Sequence, residues 1–197
     1  MHKKITTTTV ALGLAAATVL TTGSSASAHG YTTATASRQM HCAQGAVSGC
    51  GQIQWEPQSV EGPKGFPARG PADGRICAGG NTRFAELDNP RGGAWPTTQL
   101  SSGQSYTFTW RNTARHSTST YQYYITRNGW NQNAPLTRAA LEPAPFLTVN
   151  LGGRQPGATE SHSGRIPGGK SGKHLILAVW NVADTGNAFY ACSDVRF

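Results

Sequence analysis

The stretch "QSYTFTWRNT", residues 104–113, decides the fold class. Tyr106, Phe108 and Trp110 fall on one side of an extended chain, while Thr107, Thr109 and Arg111 fall on the other. A period of two carried by aromatic and β-branched residues is that of a half-buried β-strand. Outward from it, "STYQYYITR" repeats the alternation through Tyr121, Tyr123 and Ile125, and "FLTVNLGG" gives a third strand. "KHLILAVWNVAD" is an apolar run of strand length, the pattern of a strand covered on both faces. "NAFYACSDVRF" alternates through Phe189, Ala191, Ser193, Val195 and Phe197. Several short strands in one small domain predict a mostly β, two-sheet sandwich.

The chain before these strands is different. Residues 43–96 hold 11 Gly and six Pro in 54 positions, a density that forbids long regular elements. The expectation is a large loop and short-helix insertion between early strands. "NTRFAELDN" reads as one or two helical turns with Asn81 as cap. Further on, "PLTRAALEP" reads as a short helix between prolines, and "TESHSGRIPGG" as a loop. Long ordered insertions on a rigid sandwich often carry function.

The first 28 residues read as a secretory signal: "MHKK" is positive, "VALGLAAATVL" is apolar, and "ASA" (Ala26 to Ala28) fits the cleavage pattern. Eleven apolar residues are too few to span a bilayer, so the expected product is secreted, extracellular and free of the membrane. Residues 29–197 then form a single domain, expected to be a monomer. Removing Lys3 and Lys4 from the 17 basic residues leaves 15 against nine acidic ones, a net +6. These charges are scattered, with no basic run or basic-aromatic repeat, which argues against a nucleic-acid partner.

All four cysteines, Cys42, Cys50, Cys77 and Cys192, lie in this mature part. An even count in an exported chain points to two disulfides, and three pairings are open. The expected one is Cys42–Cys50 with Cys77–Cys192. The chain-entropy model gives about 2.5 kcal/mol for the short loop and about 5 kcal/mol for the long one.

Cleavage after Ala28 would make His29 the first residue. Its α-amine, of reference pKa near 8, would then stand beside its imidazole, and both could bind one metal through the amine and Nδ1. One further imidazole would complete a plane of three nitrogens with open positions, an arrangement that suits Cu(II); zinc prefers a tetrahedron. Spacing does not choose the second imidazole. His41 adjoins a cysteine, His162 lies in a loop-like stretch, and His174 begins an apolar strand. His116 sits among small polar residues between two strands, outside the core by this reading.

The segments "HGY…SR", "CGQIQWEPQSVEGPKGFPARGPADGRI", "TARHSTSTYQYYITRNGWNQNAPLTRA" and "HLILAVWNVADTGNAFYACSDV" together resemble the bacterial lytic polysaccharide monooxygenases of the chitin-binding-protein type, auxiliary activity family 10. The resemblance runs from His29 to the C-terminus. It implies a fibronectin III/immunoglobulin-like sandwich bearing a flat face with one copper ion in a histidine brace. His29 matches the terminal ligand and His116 the second, through Nε2. Phe189, in "NAFY", matches the residue filling one axial side of the metal, and Ala114, in "TARH", the small residue crowding the other. Glu61, in "SVEG", matches an acidic residue close to the copper that helps position the oxygen species. Trp55, Glu56 and Pro57 match a patch contacting polysaccharide, and Asp184 and Asn187 match further surface positions near the metal.

Each residue also has a plainer role open to it. Phe189 is in phase with Ala191 and Val195 and suits a core, Glu61 and Asp184 suit solvated loops, and Trp55 suits partial burial. The family pattern often has tyrosine where Trp55 stands; tryptophan keeps a flat apolar ring for a sugar. The implied activity is oxidative cleavage of crystalline chitin, at C1. An external electron donor and dioxygen or hydrogen peroxide would be partners, and cellulose is the rival substrate. A non-catalytic chitin-binding protein would need Trp55 but not an exposed terminal histidine. A copper carrier would need the histidines but not Trp55.

Overall fold

The computed structural model describes His2 and residues 28–197 of the 197-residue chain. The expected signal peptide thus lies almost wholly outside the described residues. The strands are β1 (His29–Ala34), β2 (Glu61–Pro63), β3 (Thr98–Gln99), β4 (Ser105–Ala114), β5 (Thr118–Ile125), β6 (Leu147–Asn150), β7 (Thr159–Arg165), β8 (Lys173–Val182) and β9 (Asn187–Arg196). A single α-helix is described, α1 (Arg38–Ala43), capped by the Ser37 hydroxyl, which accepts from Met40 N–H.

One sheet has the order β1-β4-β7; the other runs β2-β9-β8-β5-β6, with β3 added in parallel to β9. Every other pairing is antiparallel. This is the expected sandwich, and the insertion, residues 35–97, runs between β1 and β3 and contributes β2.

The second sheet is covered on both faces, and the parity of β8 and β9 shows how. Ile176, Ala178 and Trp180, with Phe189 and Ala191, join Phe108, Trp110, Tyr121 and Tyr123 between the sheets. The intervening Leu175, Leu177 and Val179, with Tyr190 and Cys192, pack against Ile53, Phe66, Phe84 and Trp95 of the insertion. That is why β8 reads as an unbroken apolar run. The insertion needs no long elements of its own, because the sheet supplies half of its core.

Staples reinforce this layer. Both expected disulfides are present, Cys42–Cys50 within the insertion and Cys77–Cys192 joining it to β9 across a sequence separation of 115. The buried Arg38 guanidinium donates to Asp194 at 2.7 Å and to Leu87 O at 2.8 Å, and lies 5.0 Å over the Trp95 ring. Arg138 donates to Asp73 and to the carbonyls of Pro67 and Arg69.

Two expectations need correction. "TESHSGR" is strand β7, not a loop; it lacks apolar residues because its outer side is solvated, Thr107–Ser163 and Thr109–Ser161 pairing by hydroxyls across β4 and β7. His162 is accordingly buried, its Nδ1 2.7 Å from the Tyr123 hydroxyl. "PLTRAALEP" forms only a 3₁₀ turn at Arg138–Ala140, because its backbone bonds to neighbours instead: Arg127 N–H to Ala140 O and Glu142 N–H to Ile125 O. The Asn81 cap, by contrast, is present, accepting from Arg83 N–H ahead of a kinked 3₁₀ segment, Thr82–Leu87.

Candidate metal centre

Strand pairing brings the two expected ligands together. The β1–β4 register sets His29 opposite Ala114, and His116 follows two residues on, in the turn into β5. His116 is buried at 8 % exposure, which corrects its reading as a residue outside the core. The sequence hid this because the turn residues around it are small and polar, and burial comes from the neighbouring β8–β9 turn. That turn bonds to Ser117 through Ala183 N–H and brings Asp184 Oδ1 to 2.9 Å from His116 Nδ1. Nδ1 is buried and has no other hydrogen-bond partner.

Gly30 explains how β1 gets this close. A Cβ there would stand 2.8 Å from Asn112 Oδ1 and 3.1 Å from the Trp180 ring, so only glycine lets His29 follow the sheet edge. Gly30 N–H also donates to Gln58 O at 3.0 Å, pinning the 55–60 loop beside His29.

Phe189 is fully buried, with its ring centroid 6.2 Å from that of His29 and 5.1 Å from that of Trp180. It is therefore both core and a wall of the site. In the β2–β9 register Glu61 lies opposite Phe189, so both side chains project from the same side of the sheet. Asn187 Nδ2 donates to Glu61 Oε1 at 2.8 Å. Ala114 is half-buried at the end of β4.

Trp55 is 78 % exposed, the one large hydrophobic left open among the described residues. Its backbone caps the 3₁₀ turn Gly51–Gln54 and leads into Glu56 and Pro57. Glu56 accepts from Arg83, 27 residues away, and His29, Glu56, Glu61, Arg83 and Asn187 line one open depression. Arg83 went unnoticed in the sequence; nothing in that spacing announces it. His29, Glu56, Glu61 and Asn187 thus share one depression, and His116 meets Asp184, the six coming from four parts of the chain.

Among the described residues no group of three or more His, Cys, Asp or Glu side chains stands ready to hold a metal ion. Two imidazoles are what this site offers by side chain. A third nitrogen would come from the α-amine of His29 once the Ala28–His29 peptide is cut. The donor set fits copper on those terms.

Residues 29–195 match the model of a family described as "Lytic polysaccharide mono-oxygenase, cellulose-degrading". A lytic chitin monooxygenase of Streptomyces ambofaciens is 46 % identical over 96 % of this chain and 95 % of its own length. A GlcNAc-binding protein A of Shewanella oneidensis is 45 % identical over 95 % of this chain, which spans 39 % of that relative's length. Among solved structures, an AA10 lytic polysaccharide monooxygenase from Streptomyces lividans is 63 % identical, with a TM-score of 0.84, covering 86 % of this chain and 100 % of that one. A Bacillus amyloliquefaciens CBM33 in complex with Cu(I) is 42 % identical, with a TM-score of 0.78, covering 85 % of this chain and 99 % of that one. Fold, site layout and these likenesses agree, and the chain belongs to the auxiliary activity family 10 lytic polysaccharide monooxygenases.

Proposed function

We propose that this chain is a secreted, single-domain, copper-dependent enzyme, residues 29–197 after loss of residues 1–28, that oxidatively cleaves crystalline chitin at C1. The observation carrying it is the register that sets His29 opposite Ala114, two residues from His116; Glu56, next to the exposed Trp55, shares a depression with His29. His29 would hold the metal through its amine and Nδ1, and His116 through Nε2. When bound, copper supplies one-electron chemistry: reduced by an external donor, it lets hydrogen peroxide, or dioxygen with further electrons, oxidise a sugar C–H bond.

The chain's own residues supply position. Trp55 would stack on a sugar ring, and its exposed position suits contact with a crystal surface. The Phe189 ring, 6.2 Å from the His29 ring, and Ala114, opposite His29 across β1 and β4, would flank the position of the metal. Glu61, held at one oxygen by Asn187, lines the same depression as His29 and would present a carboxylate to the reacting region. With hydrogen peroxide, C1–H becomes C1–OH and water leaves. The glycosidic bond then breaks by elimination, giving a lactone that water opens to an aldonic acid.

Chitin is favoured over cellulose by the Streptomyces ambofaciens relative, which matches nearly end to end and is named for chitin. The family description favours cellulose. The test is mass spectrometry of soluble products from the processed protein with β-chitin, copper and ascorbate, beside cellulose and a control lacking ascorbate. Aldonic-acid chitooligosaccharides that require ascorbate are expected. Products from cellulose alone would replace the substrate, and silence on both with copper bound would favour a non-catalytic chitin-binding protein.

A further inference from the structure

Lys64 belongs to none of the residues placed at the centre, yet it grips the turn between β8 and β9 from both ends. Its backbone N–H donates to Gly186 O at 2.8 Å, and its Nζ donates to Val182 O at 2.6 Å. One residue thus brackets positions 183–186. On its other flank the turn is tied to the β4–β5 connection by Ala183 N–H, which donates to Ser117 O at 2.8 Å. Between these ties stands Asp184, with Oδ1 2.9 Å from His116 Nδ1.

That nitrogen is buried and has no other hydrogen-bond partner, so the Asp184 carboxylate is the acceptor within reach of it. We propose that Asp184, held by Lys64, is a positioning residue for His116: its carboxylate keeps the ring hydrogen on Nδ1 and so leaves Nε2 as the metal-binding atom. A neutral imidazole carries one N–H, and the nitrogen facing an acceptor is the one that keeps it. Carboxylates behind metal-binding histidines act in this way in many sites. The Asp184 side chain is 56 % exposed and would swing freely on an unsupported turn, which is the freedom that the Lys64 bonds remove. The inference rests on the reading of His116 as a ligand through Nε2, and it gives Asp184 a role distinct from contact with polysaccharide.

The test uses the processed, metal-free protein with ¹⁵N-labelled histidine, read by long-range ¹H–¹⁵N correlation at a pH where His116 is neutral. The unmodified protein should show His116 as the Nδ1–H form. Asp184→Ala should yield a mixture in which the Nε2–H form rises several-fold. Asp184→Asn, which keeps an acceptor oxygen, should restore the original form. Lys64→Met, which keeps the stem and the backbone bond but loses the Nζ donor, should shift in the direction of Asp184→Ala. Copper affinity by calorimetry should fall about 10- to 100-fold in Asp184→Ala and recover in Asp184→Asn. An Nε2–H form in the unmodified protein overturns the proposal, and so does an unchanged ratio in Asp184→Ala; an unchanged Lys64→Met removes Lys64 from it. The spectrum of the unmodified protein decides even where a variant fails to fold. A chain silent on polysaccharide that still shows the Nδ1–H form would refute the proposed function and leave this positioning role standing.

Discussion

At the scale of single residues, the proposed function separates chemistry at His116 from docking at Trp55. His116→Ala should abolish oxidised products in the ascorbate assay while leaving most binding to chitin particles, measured by depletion from solution. Equal loss of both in a folded variant would count against the metal role. Trp55→Ala should do the reverse. A lost ring stack of about 1–1.5 kcal/mol weakens binding roughly tenfold, with copper affinity by calorimetry unchanged. Without the family likeness, neither Glu61 nor Phe189 stands out from its neighbours. Phe189 is legible as core from its phase with Ala191 and Val195, and it is core; that it also walls the site depends on β1 bringing His29 within 6.2 Å.

At the scale of elements, the insertion is held by a buried acid and a long disulfide. Asp88 caps the 82–87 segment and accepts from Ala78 N–H at 3.1 Å. Burial pushes its carboxyl up to about 6, against the pull of the Ala78 and Cys77 N–H groups and of Arg38 and Arg75. A raised carboxyl means that between about pH 4 and 6 the folded chain keeps a proton the unfolded chain releases. Stability from this group is therefore full below about pH 4 and falls as pH rises through that window. Asp88→Asn should remove the fall, on the order of 2–3 kcal/mol, seen by comparing urea unfolding of both proteins from pH 4 to 7. Replacing Cys77 and Cys192 by alanine should cost about 2–5 kcal/mol and lower Tm by roughly 10 °C, read by calorimetry.

Much of this scale was legible. Strands β4, β5, β8 and β9 announce themselves by period or apolar run, and the Asn81 cap by its side chain. Strand β7 did not, because a strand with hydroxyls outward and a lone buried histidine inward carries no apolar alternation. Helix α1 is too short to show a helical period, and its existence owes more to the Arg38–Asp194 pair and the Cys42–Cys50 bridge than to propensity.

At the scale of the whole molecule, the proposed function needs processing and folding to cooperate. Only a chain beginning at His29 offers an amine beside that imidazole. A protein produced with Ala28 retained should fold alike by circular dichroism but bind Cu(II) far more weakly by calorimetry. Equal affinity for both would remove the amine from the donor set. The sequence by itself determined the sandwich class, the disulfide count and the chemical oddity of His29, because periodicity, cysteine number and a cleavage pattern are local properties of the chain. The tertiary structure alone decided that His29 faces Ala114, that Asp184 reaches His116, that Arg83 holds Glu56, and that His116 is buried. Those contacts join segments tens of residues apart through strand register and turn packing, and no local pattern records which segments a folded sheet will set side by side.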